Sequence, residues 1–234
     1  MTLAAESAKA RKDLAWLLEI EVAKRIDALV WALATSGSPA YYITPTEGEP
    51  GRVREIDRTS HAITEYSEEA SLAACQAAAG SWFFDTATGR LYVNTTGGTD
   101  PSGGDYYVAA YYWKLYCDGQ HPAPKELVFN GAWYDPKLDK ASLPVLAMEV
   151  SGFHEGGVRQ TWGALKLLNG DGSLDQELVD YIWENKVFIL KVGVPGDAYA
   201  QFVTAARGRT GSITWSLDEG TVTIGLQDPL RAED

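Results

Sequence analysis

Trp82-Phe83-Phe84-Asp85-Thr86-Ala87-Thr88-Gly89-Arg90-Leu91-Tyr92-Val93-Asn94 decides the fold class. Two runs rich in aromatic and β-branched residues flank a short turn that ends in glycine. That is the chemistry of a β-hairpin. Downstream, Tyr106 to Tyr116 (YYVAAYYWKLY) reads as a long aromatic strand across the polar loop Gly97–Gly104. Upstream, Ser67 to Ala79 reads as a helix: Ser67 caps it, two glutamates fill its first turn, and Gly80 stands where a C-terminal cap belongs.

Further toward the N-terminus, Leu18-Glu19-Ile20-Glu21-Val22 alternates strictly, which predicts a strand with one dry face. Leu29–Ala34 is a second apolar run, and a turn near Arg25-Ile26-Asp27 would pair the two. A short strand is expected at Tyr41-Tyr42-Ile43 and alternation recurs over Val53–Tyr66. Toward the C-terminus, Asn130-Gly131 is a tight-turn signal between Leu127-Val128-Phe129 and Ala132-Trp133-Tyr134. Strands are expected at Leu143–Val150, Val158–Leu168, Val187–Val192, Tyr199–Arg207, Gly211–Leu217 and Thr221–Leu226, with a helix from Ser173 through Ile182. Many short strands, frequent turns and one or two short helices predict a mainly β protein with a β-sandwich or split-barrel core. Asp118–Pro124 (DGQHPAP) is the best internal boundary, giving a β-rich region 1–124 with one helix and a sandwich- or barrel-like domain 125–234, unless the whole is one domain.

The chain has 234 residues and a net charge of -12. Such a chain repels phosphate backbones, so nucleic acid is not an expected partner. Met1–Lys12 lacks the apolar core of a secretory signal, and every long apolar run is interrupted by charge. The expectation is therefore synthesis in a cytoplasm and no membrane span. Cys75 and Cys117 lie in no metal-binding spacing and read as reduced core residues, with a disulfide between them as the lesser alternative.

Catalytic constellations are sparse. His61, His121 and His154 are scattered, and no nucleophile elbow, zinc-protease or phosphate-loop motif is present. No cofactor, no metal and no enzymatic activity are expected. Asn169-x-Asp171-x-Ser173-x-Asp175 begins like a calcium loop, but Leu174 stands where that loop needs glycine and Asp180 where it needs glutamate. A polar turn that caps the next helix is the plainer reading. Eight Trp and twelve Tyr are many for this length. On the aromatic strand, Tyr107, Tyr111 and Trp113 share one face while Tyr106, Tyr112 and Tyr116 share the other. The first three are the candidate contact residues, either at a subunit interface or as a carbohydrate-binding platform.

Two groups of motifs resemble a known family. One is Gly80-Ser-Trp-Phe-Phe-Asp85, Gly89-Arg-Leu-Tyr-Val93 and Asp100-Pro101. The other runs from Pro144-Val-Leu and Gly156-Gly157-Val through Gly163-Ala-Leu-Lys-Leu-Leu-Asn-Gly-Asp-Gly-Ser-Leu-Asp175 and Gly211-Ser-Ile-Thr-Trp215 to Val222-Thr-Ile-Gly-Leu-Gln-Asp-Pro-Leu230. Covering roughly half to two thirds of the chain, they resemble tail-tip (baseplate) proteins of long-tailed bacteriophages, of the distal-tail or minor-tail type. The resemblance implies a sandwich or split-barrel core, a homo-oligomeric ring (a hexamer) at the virion tail tip, and contacts with tail-tube, hub and receptor-binding proteins. Some hub proteins of this class hold an iron–sulfur cluster on cysteines. Two separated cysteines depart from that pattern and argue against the hub identity.

Overall fold

A computed structural model describes residues 14–26, 31–35, 37–102, 104–119, 128–129, 131–143, 147–150, 158–161, 163–216 and 218–227. In chain order the first strands are β1 (Ala15–Arg25), β2 (Ala32–Leu33), β3 (Ala40–Ile43), β4 (Arg52–Asp57), β5 (Ile63–Glu65), β6 (Ser67–Glu68), β7 (Ser81–Asp85), β8 (Arg90–Asn94) and β9 (Tyr106–Cys117). Then follow β10 (Val128–Phe129), β11 (Ala132–Trp133), β12 (Ala147–Val150), β13 (Val158–Thr161), β14 (Ala164–Leu168), β15 (Val187–Gly193), β16 (Val203–Ser216) and β17 (Thr221–Gln227). The α-helices are α1 (Leu72–Ala77) and α2 (Asp175–Asp180). The fold is mainly β, sandwich-like, and almost wholly antiparallel.

The chain forms two compact units, and they are not consecutive halves. A central unit comprises Val22–Trp113 with Asp180–Ile182. A terminal unit takes the described residues up to Glu21, then Lys114–Val179, then those from Trp183 onward. The long strands β1 and β9 contribute to both. Residues 120–127, which hold most of the Pro- and Gly-rich stretch read as a boundary, lie outside the described residues.

In the central unit the hairpin β7–β8 has the register its turn dictates, from Ser81↔Asn94 to Asp85↔Arg90. It anchors a sheet of order β2-β3-β8-β7-β6. Trp82, Leu91 and Val93 are buried along it, with Cys75 of α1 among the core residues. The helix is shorter than the sequence suggests. Ser67 and Glu68 pair in parallel with Ser81 and Trp82, and the Ser67 and Glu69 amides bond the Gly80 and Trp82 carbonyls at 3.0 and 2.8 Å. A backbone committed to β7 cannot open a helix, so the cap passes to Ser71, whose hydroxyl accepts from the Ala74 amide at 3.2 Å. Ser71→Ala is expected to remove about 1 kcal/mol and to lower the melting temperature, read by circular dichroism. Ser67→Ala leaves the melting temperature nearly unchanged. An equal shift for both would return the cap to Ser67.

β1 and β2 do not pair with each other, contrary to the hairpin expected across Arg25-Ile26-Asp27. β1 pairs with β15 and β2 with β3. In the terminal unit the order is β14-β17-β16-β15-β1. Ala15, Leu17, Cys117, Phe129, Tyr134 and Phe202 form its hydrophobic cluster, with Phe129 edge-on to both Tyr134 (5.2 Å) and Phe202 (5.4 Å). Both cysteines are buried free thiols. β1 is buried on both faces, including Glu19 and Glu21, so its alternation does not mark one wet side. The single strand expected over Val158–Leu168 is two, parted at Gly163, whose φ of +70° suits glycine and turns the chain. The two C-terminal runs expected from Tyr199 to Leu217 instead merge into the long strand β16, preceded by a 3-10 turn at Tyr199–Gln201.

Candidate functional site

The sequence singles out β9, and its neighbour β4 explains what its central-unit half does. The two strands pair antiparallel with Arg52 opposite Tyr111, Arg54 opposite Ala109 and Ile56 opposite Tyr107. Arginines at alternate positions of β4 therefore emerge on the face that carries Tyr107 and Tyr111. The guanidinium carbons of Arg52 and Arg54 lie 4.4 and 5.1 Å from the centre of the Tyr111 ring. Those of Arg25 and Arg58 lie 4.5 and 5.6 Å from the centre of Tyr107. Each such contact contributes about 0.5–1 kcal/mol at an exposed site. Ala23, Ala109 and Tyr111 form one buried apolar cluster, with Ile56 and Tyr107 packed against it.

Glu65 on β5 ties this array to the sheet. It pairs with Arg54 and lies 3.9 Å from Arg52. Burial opposes the charge on Arg54, but the bonds from Glu65 and Tyr111 outweigh it and raise its pKa. The three residues expected to act together are thus on one face but unequally available. Tyr111 is 3% exposed, Tyr107 is half-buried beneath its arginines, and Trp113 is 42% exposed. On the opposite face Tyr112 is buried, and Tyr106 is held by a 2.6 Å bond to Thr99. Tyr116 lies in the terminal unit, where it stacks on Trp183 at 6.5 Å.

The other sequence candidates resolve differently. His61 sits in the exposed turn between β4 and β5, in a left-handed conformation (φ +58°), not in a strand. His121 and His154 lie outside the described residues. In the calcium-like turn, both oxygens of Asp171 meet Lys137 Nζ at 3.0 Å. That contact, with the Ser173 amide and hydroxyl, pulls the Asp171 carboxyl down to about 2. An ammonium already occupies the carboxylate a cation would need. Nor does Ser173 cap α2, because its hydroxyl is turned to Asp171 (2.9 Å) and Asn169 receives the Leu174 amide at 2.8 Å.

Two polar arrangements were not visible in the sequence. In the terminal unit, the Glu19 carboxylate accepts from the Tyr134 and Tyr199 hydroxyls at 2.7 Å each and lies 3.2 Å from Lys191 Nζ, which also bonds Tyr199. Burial and the Glu19 charge push the Tyr134 phenol far up, so it stays protonated. Every partner is matched, so the network fastens strands rather than offering a reactive group.

In the central unit, a cleft of about 130 Å³ opens beside Lys24, Glu47 and Tyr112. One oxygen of Glu47 takes Lys24, Thr46 (2.9 Å) and Tyr181 (3.1 Å). Burial would raise the Glu47 carboxyl, but the Lys24 and Thr46 bonds prevail and hold it below its usual range. The Tyr112 hydroxyl is buried without a hydrogen-bond partner among the described residues. Leaving such a group unsatisfied costs about 1–3 kcal/mol. Burial, then the nearby Glu47 charge, raises its pKa. Among the described residues no group of His, Cys, Asp and Glu is arranged to hold a metal, and no helix is long and apolar enough to cross a membrane.

Comparison with protein-family models, with curated proteins and with solved structures finds no match for this chain.

Proposed function

We propose that this chain is a structural component of a bacteriophage tail tip, assembling as a closed ring, a hexamer, that links the tail tube to hub and receptor-binding proteins. The observation that carries the reading is the exposed Trp113 set beside a face of tyrosines and arginines. Trp, Tyr and Arg are the residues that dominate binding energy at protein interfaces. Arg25, Arg52, Arg54 and Arg58 are four of the ten arginines of a chain whose net charge is -12. A basic, aromatic face on an acidic molecule is complementary to the rest of its own kind, and such a head-to-tail contact is what closes a ring. The two groups of motifs that resemble tail-tip proteins fall largely on β7–β8 and on β14–β17 and include neither β4 nor β9. The reading places the protein in the virion after synthesis in the host cytoplasm.

Negative-stain electron microscopy of the purified chain is the test. Closed rings of one diameter are expected, formed alone or on addition of the tail-tube protein. Dispersed single particles under both conditions would refute the assembly. A carbohydrate-binding module is the second reading, favoured by the flat, exposed indole of Trp113. It requires a monomer whose tryptophan fluorescence responds to glycans and is silent after Trp113→Ala.

A further inference from the structure

The cleft beside Glu47 is chemically unlike the interface face, and the ring proposal leaves it unused. Its walls are mixed. Ile26, Ile43 and Pro45 supply apolar surface, while Lys24, Glu47 and Tyr112 supply polar atoms. Lys24 and Glu47 neutralise each other, so the cleft selects for neither a cation nor an anion. Lys24, Thr46 and Tyr181 all donate to one oxygen of the Glu47 carboxylate, Oε1. Tyr112, 6% exposed, brings a hydroxyl that no described residue satisfies. A buried phenol with a hydrogen to give thus shares one cleft with a carboxylate, a group that accepts.

From this we infer that the cleft binds a small neutral molecule through a group that both accepts and donates, accepting from the Tyr112 hydroxyl and donating to the Glu47 carboxylate. An alcohol of a polyol and a primary amide share that chemistry. The volume, about 130 Å³, suits a molecule of few heavy atoms, since a cavity of about 150 Å³ holds benzene. The apolar wall takes the carbon skeleton while the two polar atoms fix its orientation.

Saturation-transfer NMR with glycerol and, separately, propionamide tests the inference on the full chain. Transfer to at least one probe is expected, and which probe responds tells the polyol source from the amide. Tyr112→Phe keeps the ring and removes the hydroxyl, so binding is expected to weaken roughly five- to tenfold, the loss of one hydrogen bond. Glu47→Gln is expected to weaken it by a comparable factor and serves if the first variant fails to fold. No transfer from the wild-type chain to either probe overturns the inference. So does undiminished binding by a folded variant. Neither result depends on whether the chain forms rings.

Discussion

Replacing Glu19 with alanine is expected to destabilise the protein by about 3–5 kcal/mol, the range for removing one partner of a buried ion pair. The carboxylate sits on β1, where it gathers Tyr134, Tyr199 and Lys191. Its loss takes the common acceptor from a buried phenol, Tyr134, and from the half-buried Tyr199 and Lys191. Lys191 is the most demanding of the three, because its side chain is only 14% exposed and needs a counter-charge to stay ionised. Glu19→Gln keeps an acceptor but loses the charge, so it is expected to fall between wild type and alanine. Urea unfolding checks the series, and a loss below about 1 kcal/mol for Glu19→Ala, the scale of a single ordinary hydrogen bond, would show that the network adds little.

The pH dependence has a definite sign. The Lys191 pKa lies above its ordinary value of 10.5: burial alone would lower it, but the Tyr199 bond and the Glu19 charge prevail. A group raised in the folded state stabilises fully below its unfolded pKa and loses that contribution as pH rises through the folded value. Stability should therefore fall on the alkaline side as pH rises from the ordinary lysine value through the raised one, and this part of the fall should be smaller in Glu19→Ala, which removes the charge but leaves the Tyr199 bond.

Trp113→Ala combined with Arg58→Glu is expected to weaken self-association by about 2 kcal/mol or more, roughly thirtyfold in dissociation constant. Both residues are exposed, so the variant should fold. The alanine removes the aromatic anchor. The reversal places a negative charge on the face where Arg58 now covers Tyr107, and it opposes an acidic neighbour. High salt should weaken the wild-type assembly in the same direction, because the attraction between the arginine face and an acidic copy is screened. Sedimentation velocity reads both effects. Assembly that is indifferent to the double substitution and to salt would move the interface elsewhere.

Local chemistry made some elements legible and hid others. The β7–β8 hairpin could be read because its turn, its aromatic runs and its register are set by adjacent residues. The aromatic strand β9 could be read for the same reason, down to which rings share a face. What those rings touch could not. The guanidinium groups over Tyr111 come from β4, distant in sequence and brought there only by its register on β9, and one of those over Tyr107 comes from the end of β1. Leu18–Val22 misled in a related way. Alternating Glu and Ile fits a half-wet strand equally well until tertiary partners bury Glu19. The α1 start was misplaced at Ser67 because pairing of Ser67 and Glu68 with β7, a contact distant from the helix's own signals, leaves the cap to Ser71. The division into units was hidden because β1 and β9, far apart in sequence, each serve both.

The mass of the purified wild-type chain in solution, followed by light scattering across a concentration series, tests assembly most directly. A discrete ring-sized species, alone or once the tail-tube protein is added, is the predicted result. A monomer at every concentration, unchanged by tail proteins, would contradict the account.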